Sequence, residues 1–455
     1  MFTRSPWVAV TLYSPSGIGI NLGVHLSHGE SFSLLFPIPI PFPIRIRIPV
    51  LSFTIILPLL PTIPFIIYYL RPNQDLPIQP FIPFLLLPME DTGLNNDAEP
   101  EISAVILDLD GTLLNTEVAS RGVLREFLAS YGKVLITDNE HRRVGKTQKE
   151  SAIAIVKNYE LPLTPEQLIA QITPMYRSKW KDAKALPGAN RLIRHLHKHQ
   201  VPLALASNSS REYIEAKISY QKGWKECFSV ILGSDQVPMG KPSPDLFLEG
   251  AKRMAVDSSE CLVIEDSLIG VKAAKAAGMK VVVVPSQSEA DSAALADFVL
   301  HSLLEFQPEL WGLPKFDDWV DKALPVDPIF FDGQVIDGFL ADCSEEDDSP
   351  NVLPDQVCGV FFGWAVSSPG DFKVVASIGR EFSSAFQTKI QLCSTDGRVE
   401  HLSADRMHFA LVGYIRGFSS KGSKHLNSDI SENDVSIAKS ALELPIFRYP
   451  VSNGL

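Results

Sequence analysis

The tetrapeptide Ala104-Val105-Ile106-Leu107 breaks off at once into Asp108-Leu109-Asp110-Gly111-Thr112. An apolar run this short suits a strand buried on both faces of a parallel sheet. Two aspartates flank one leucine directly after it, and Gly111 supplies the turn that opens a loop. Such a stretch projects two carboxylates beyond the carboxyl end of a strand, where open α/β sheets bind their ligands. Aspartates that merely cap a strand are the plainer alternative, but the full pattern D-x-D-G-T-L is far more specific than a lone pair of acids.

Three further stretches follow in order. Val201–Arg211 (VPLALASNSSR) is an apolar strand ending in small hydroxyl and amide residues. Gly240–Phe247 (GKPSPDLF) offers one lysine before a proline-stiffened helix start. Cys261–Gly278 (CLVIEDSLIGVKAAKAAG) is a strand that ends in two acids and leads into an alanine-rich helix. Read singly, Lys241 is a solvated charge, Ser207 a helix cap and Glu265-Asp266 another cap. Together, at successive strand ends, they make a site for an anion and a divalent metal.

In this order the four stretches resemble the motifs of the haloacid dehalogenase superfamily of phosphatases. The resemblance implies an α/β fold, a Rossmann-like core with a helical cap. It makes Asp108 a nucleophile that forms an aspartyl-phosphate, and Asp110 the general acid and then base. Thr112, Ser207, Asn208 and Lys241 would bind the phosphoryl group. Mg²⁺ would be held by Asp108, the Asp110 carbonyl and Asp266, with Glu265 bound directly or through water. Metal dependence also follows from charge, because these acids would otherwise repel a phosphate dianion. The helix-patterned stretch between Glu117 and Leu186, about residues 117–186, sits where that superfamily carries its cap. Within it Lys146, in the basic segment RRVGKTQKE, is a candidate substrate contact or a solvated helix start.

A narrower resemblance covers about residues 101–455. The blocks LPGANRLIRHL, KISYQKGWKECFSVILGSD and GKPSPDLFLEGAKRM are similar to the plant bifunctional riboflavin kinase/FMN hydrolase family. So is the junction Trp311–Phe339. This implies FMN as substrate and a phosphatase domain over 89–325. A riboflavin kinase-like domain would occupy 326–455, closed by a helix near Glu432–Leu444. The β-rich runs VCGVFFGWAV, FKVVASIG and FALVGYIR independently suggest a small antiparallel barrel.

The kinase motifs depart from the family pattern. Gly338-Phe339 runs straight into LADCSEEDDSPNVLPDQ, where the family carries a basic, phosphate-cradling loop and a Thr-Asn pair. Acids at that place would repel a triphosphate by about 1 kcal/mol or more per contact. They read as a solvated loop rather than a metal site. Gln391 falls nearest the family's catalytic glutamate, and an amide cannot take a proton at neutral pH. The expectation is a degenerate kinase.

The 455 residues allow two or three domains. A net charge of −12 argues against nucleic acid as partner. Five scattered cysteines without a C-x-x-C pair fit a reduced, cytoplasmic protein. Residues 1–88 stand apart. Ile48–Leu70 is apolar over a bilayer-spanning length, yet Pro49, Pro58, Pro61 and Pro64 interrupt it, at about 3 kcal/mol per interior proline. Since Met89 begins a polar, acidic leader, residues 1–88 are expected to be a gene-model extension, with a membrane anchor the less favoured alternative.

Overall fold

The structure is a computed structural model. It describes residues 101–136, 147–284, 290–341, 353–367, 370–381, 387–396, 406–418 and 430–449, together with five short strands in the first 57 residues. The chain divides into two compact units, 1–95 and 96–455. In the first, Val10–Tyr13, Gly19–His25 and Ser31–Pro37 form an antiparallel sheet. Ile44–Arg47 pairs with Thr54–Leu57, the second of which lies inside the proline-interrupted apolar run. Among the described residues no helix is long and apolar enough to cross a membrane.

The second unit begins with a six-stranded parallel sheet. Its strands are β1 (Ala104–Leu107), β2 (Leu203–Ser207), β3 (Val230–Gly233), β4 (Cys261–Glu265), β5 (Lys280–Val283) and β6 (Phe298–Val299). Their spatial order is β6-β5-β4-β1-β2-β3. The chain therefore grows from β1 in one direction and then returns to its other side. That reversal leaves a crevice at the carboxyl ends of β1 and β4.

Side-chain alternation explains the layers. Val105 and Leu107 pack with Leu192, Ile193 and Ile214, from helices Ala189–Lys198 and Arg211–Ile218. Ala104 and Ile106 face the other way, onto Leu246, Phe247 and Val271 of helices Asp245–Met254 and Leu268–Ala276. With both faces covered, a strand this apolar has no polar side.

Between β1 and β2 stand helices Thr116–Ala119, Val123–Ala129, Gln148–Tyr159 and Pro165–Trp180. The last two begin with capping boxes, Thr147 with Glu150 and Thr164 with Gln167. Phe127, Leu128, Ile155 and Ile172 give this cap a small core of its own. It rests on the parallel-sheet domain through Tyr213, whose hydroxyl meets Gln148 (3.3 Å) and Thr173 (3.2 Å), and whose ring packs on Trp180.

A seven-stranded antiparallel sheet follows: β7 (Leu324–Gly333), β8 (Val335–Ile336), β9 (Phe339–Leu340), β10 (Gly359–Ser367), β11 (Gly370–Glu381), β12 (Gln387–Ser394) and β13 (Met407–Arg416). Its order is β7-β13-β10-β11-β12-β9-β8. The two edges, β7 and β8, are separated in sequence by Gln334 alone. The sheet must curl until its edges approach, and the result is barrel-like. The expected closing helix is present as Glu432–Ala441.

That helix is pinned by Asp434, which is 1% exposed. It accepts from Arg416 Nη2 (2.7 Å) and Nε (3.0 Å), and from Ser431 Oγ (2.8 Å). Burial alone would raise this carboxyl, but Arg416 and Ser431 hold it below the usual range. The stabilisation is therefore complete above the unfolded value of about 3.9 and is lost as pH falls through the lower folded value. Amide exchange in 432–441 should accelerate over that window in the parent. Asp434→Asn should remove this part of the pH dependence, and identical profiles would refute the pairing as its cause.

Candidate active site

The residues singled out in sequence meet at the carboxyl ends of β1, β2 and β4. Asp108 follows β1, and its backbone N–H donates to Ile264 O (3.0 Å), which locks it to β4. Asp110 lies two residues on, beyond Leu109. Lys241 comes from the loop before helix Asp245–Met254 and is 3% exposed. Its ammonium donates to Asp108 Oδ1 (2.5 Å) and Glu265 Oε1 (2.6 Å). Burial opposes a charged lysine, but Asp108 and Glu265 together hold it protonated. Burial pushes Asp108 up to about 7 against the pull of Lys241. Asp266 is raised as well, by burial and by the neighbouring charges of Glu265 and Asp108.

Asp110 is the exception. Burial would raise it, yet it lies below the ordinary aspartate value because Lys217 sits against it. The Lys217 ammonium donates to both its oxygens, at 2.7 and 2.8 Å. Thr116 Oγ1 (2.8 Å) and Ser209 Oγ (2.9 Å) complete the grip. In this form Asp110 is an ionised carboxylate with a fixed direction.

One carboxylate oxygen each of Asp108, Glu265 and Asp266 lie within 4.8 Å of one another, all buried. Four carboxylates (Asp108, Asp110, Glu265, Asp266) face two ammoniums (Lys217, Lys241). The excess of negative charge and the all-oxygen donor set fit a hard divalent cation such as Mg²⁺. Gly111 makes the approach close enough. Its φ is +88°, and a Cβ there would stand 2.2 Å from Asp266 Oδ2.

Three of the expected site residues are bonded to other protein groups in the structure. Glu265, expected to bind the metal directly or through water, has Oε1 on Lys241 and Oε2 on the N–H groups of Asp266 and Ser267 (3.0 Å each) and Ser267 Oγ, and it keeps an oxygen within the acidic cluster. It is thus a partner of Lys241 as well as a member of the acidic cluster. Gly270 permits this, since a Cβ there would collide with Glu265 Oε1. Asn208, expected on phosphate, has both ends of its amide on the Lys241 backbone, at 2.8 and 3.0 Å, so its side chain braces the lysine. Thr112 turns its hydroxyl to Asp266 Oδ1 (3.2 Å) and orients that acid. Ser207 stays beside Asp110, with Oγ 3.4 Å from Oδ2. Lys146 lies outside the described residues.

A model of the haloacid dehalogenase-like hydrolase family matches residues 105–284. Over 371 residues the chain is 44% identical to the bifunctional riboflavin kinase/FMN phosphatase of Arabidopsis thaliana, spanning 78% of this chain and 97% of that protein. The chain belongs to this family. It is also 37% identical over 228 residues to the mitochondrial (DL)-glycerol-3-phosphatase 1 of Arabidopsis thaliana, covering 48% of this chain and 76% of that one. Among solved structures, CbbY from Rhodobacter sphaeroides in complex with phosphate is 28% identical. It covers 45% of this chain and 96% of that chain, with a TM-score of 0.41.

Within this riboflavin kinase/FMN phosphatase relative, Lys217, Ser209 and Thr116 were not anticipated from sequence as site residues. Ser209 lies in the stretch Val201–Arg211, and Thr116 stands four residues beyond Thr112. Lys217 opens the block KISYQKGWKECFSVILGSD, but as one lysine at the end of helix Arg211–Ile218 nothing in its residue type ties it to Asp110. In the barrel, Gln391 on β12 pairs with Phe339 of β9 and with Ser377 of β11. This puts it beside the start of the acidic insert, whose residues 342–352 lie outside the described ones.

Proposed function

We propose that residues 89–325 form a Mg²⁺-dependent phosphomonoesterase whose substrate is FMN, giving riboflavin and phosphate. The Lys241-anchored Asp108 facing Lys217-anchored Asp110 carries this reading. The Arabidopsis relative's name supports the flavin, and the leaner likeness to a glycerol-3-phosphatase sets the rival.

Asp108 Oδ attacks phosphorus, and the P–O bond to the riboflavin 5′-oxygen breaks. The leaving oxygen takes a proton from Asp110, which enters the cycle with a proton taken from solvent. Asp110, now a carboxylate, accepts a proton from water as that water attacks the aspartyl-phosphate, which releases phosphate and restores Asp108. The pinned, ionised Asp110 of the structure is the form this second half requires. Mg²⁺ bound by Asp108, the Asp110 carbonyl and Asp266 would supply positive charge against the phosphate. Lys241 neutralises Asp108, Ser207 bonds the phosphoryl group, and the cap excludes bulk water.

The full chain with Mg²⁺ should release phosphate from FMN with the highest kcat/KM in a panel containing glycerol and sugar phosphates. A glycerol phosphate at the head of that ranking would overturn the substrate assignment. Lys217→Met should lower kcat about 10²-fold, the range of a misplaced acid–base group. KM should move little, since Lys217 is aimed at Asp110. A tenfold rise in KM at unchanged kcat would instead make Lys217 a substrate-binding group.

We further propose that residues 326–455 retain the barrel without the kinase chemistry, and that the protein acts in the cytoplasm. The acidic insert after Phe339 and the amide at Gln391 support the loss. ATP and riboflavin given to the same preparation should yield no FMN, and its formation would overturn the claim.

A further inference from the structure

The segment after the acidic insert reaches the phosphatase site. Gln356 Nε2 donates to the carbonyl of Gly111 at 2.9 Å, across 245 residues of sequence. Gln356 is 6% exposed, which is unusual for a glutamine outside a core. Its position is rigidly set. Val357 N–H donates to Pro354 O (2.9 Å) and closes a turn, and Leu353 and Val357 on either side are anchored in the barrel core with Phe331, Phe361 and Leu411.

Gly111 is a sensitive place to hold. It lies between Asp110 and Thr112, and Thr112 orients Asp266. Its own Cα faces Asp266 too closely for any Cβ. Its N–H donates to Leu114 O (3.0 Å), so the loop is a tight turn held at both of its peptide groups. Just beyond, Asn115 N–H donates to Lys184 O and Leu186 N–H to Leu113 O, where the chain leaves for the cap and returns. Rotation of the Gly111–Thr112 peptide would therefore turn Asp110, Asp266 or the cap hinge.

We propose that Gln356 is a positioning residue for the phosphatase: the barrel holds the catalytic loop through this one amide. The barrel of this chain then keeps a role in hydrolysis independent of any kinase activity. The kinetic consequence rests on the phosphatase reading above, whereas the mechanical one does not.

The test uses the full chain with two variants. Gln356→Ala removes the donor, and Gln356→Glu keeps the size but offers only acceptors at neutral pH. With p-nitrophenyl phosphate and Mg²⁺, both should lower kcat about tenfold with KM within about twofold, as expected for a slightly misplaced catalytic group. Hydrogen exchange in residues 108–115 should quicken at least about fivefold, while 407–416 in the barrel stays unchanged. Parent-like kcat with parent-like exchange in both variants would overturn the proposal. So would quickened exchange in 407–416 to the same degree, which would mean that the barrel itself had loosened. A parent chain that hydrolyses no phosphate ester would sink the phosphatase reading, and the exchange data would still decide whether Gln356 holds the loop.

Discussion

Asp108→Asn should abolish phosphate release, by at least about 10³-fold in kcat, with the folded protein left as stable as the parent or more so. The first half follows from chemistry, because an amide is no nucleophile towards phosphorus. The second half follows from the charge count. Three buried acids, Asp108, Glu265 and Asp266, surround one ammonium, and both Asp108 and Asp266 are raised by burial in that company. Removing one negative charge relieves repulsion, while Lys241 keeps Glu265 as partner. Loss of activity with an unchanged or higher Tm separates a missing nucleophile from a collapsed site. A variant that keeps a tenth of parent turnover would remove Asp108 from the mechanism. So would a turnover loss matched by a large drop in Tm, because the site would then have failed as structure.

The strand ends could be read from sequence because their chemistry and their position coincide there. An apolar run that stops at Asp108, or at Glu265-Asp266, is visible as a pattern of residue types. The stretch 117–186 showed a helical pattern in sequence, and the structure adds where two of its helices start, at the capping boxes of Thr147 and Thr164. What sequence could not settle is which way a polar group turns. Glu265 and Asp266 are adjacent and chemically alike. The close approach of helix Leu268–Ala276, allowed by Gly270, fixes the first against Lys241, while Thr112 meets the second. Lys217 needed the tertiary placement of its helix over Asp110. Gln356 needed a contact across two domains. The same limit applies to Asn208, an amide that fits a phosphate on paper and is spent on the Lys241 backbone in the fold.

Lys241→Met should lower both activity and stability, and the two losses should be separable. The ammonium is the shared partner of Asp108 and Glu265, and Glu265 has no exposure to water. Removing one member of a buried ion pair leaves its partner uncompensated, at a cost of about 3–5 kcal/mol. At roughly 2–4 °C per kcal/mol for a domain of this size, Tm should fall by about 10 °C. Turnover should fall at least about 10³-fold, because Asp108 and the incoming phosphate then lack a cation between them. Adding Glu265→Gln removes the stranded charge, while its amide oxygen can still accept from Asp266, Ser267 and the Ser267 hydroxyl. The double variant should recover most of the lost Tm and none of the lost kcat. Recovery of both would make Lys241 a structural counter-ion only, and recovery of neither would mean that Glu265 is not the group it stabilises. The predicted split follows from the geometry: Glu265 needs Lys241 in order to stay buried, and Asp108 needs it in order to react.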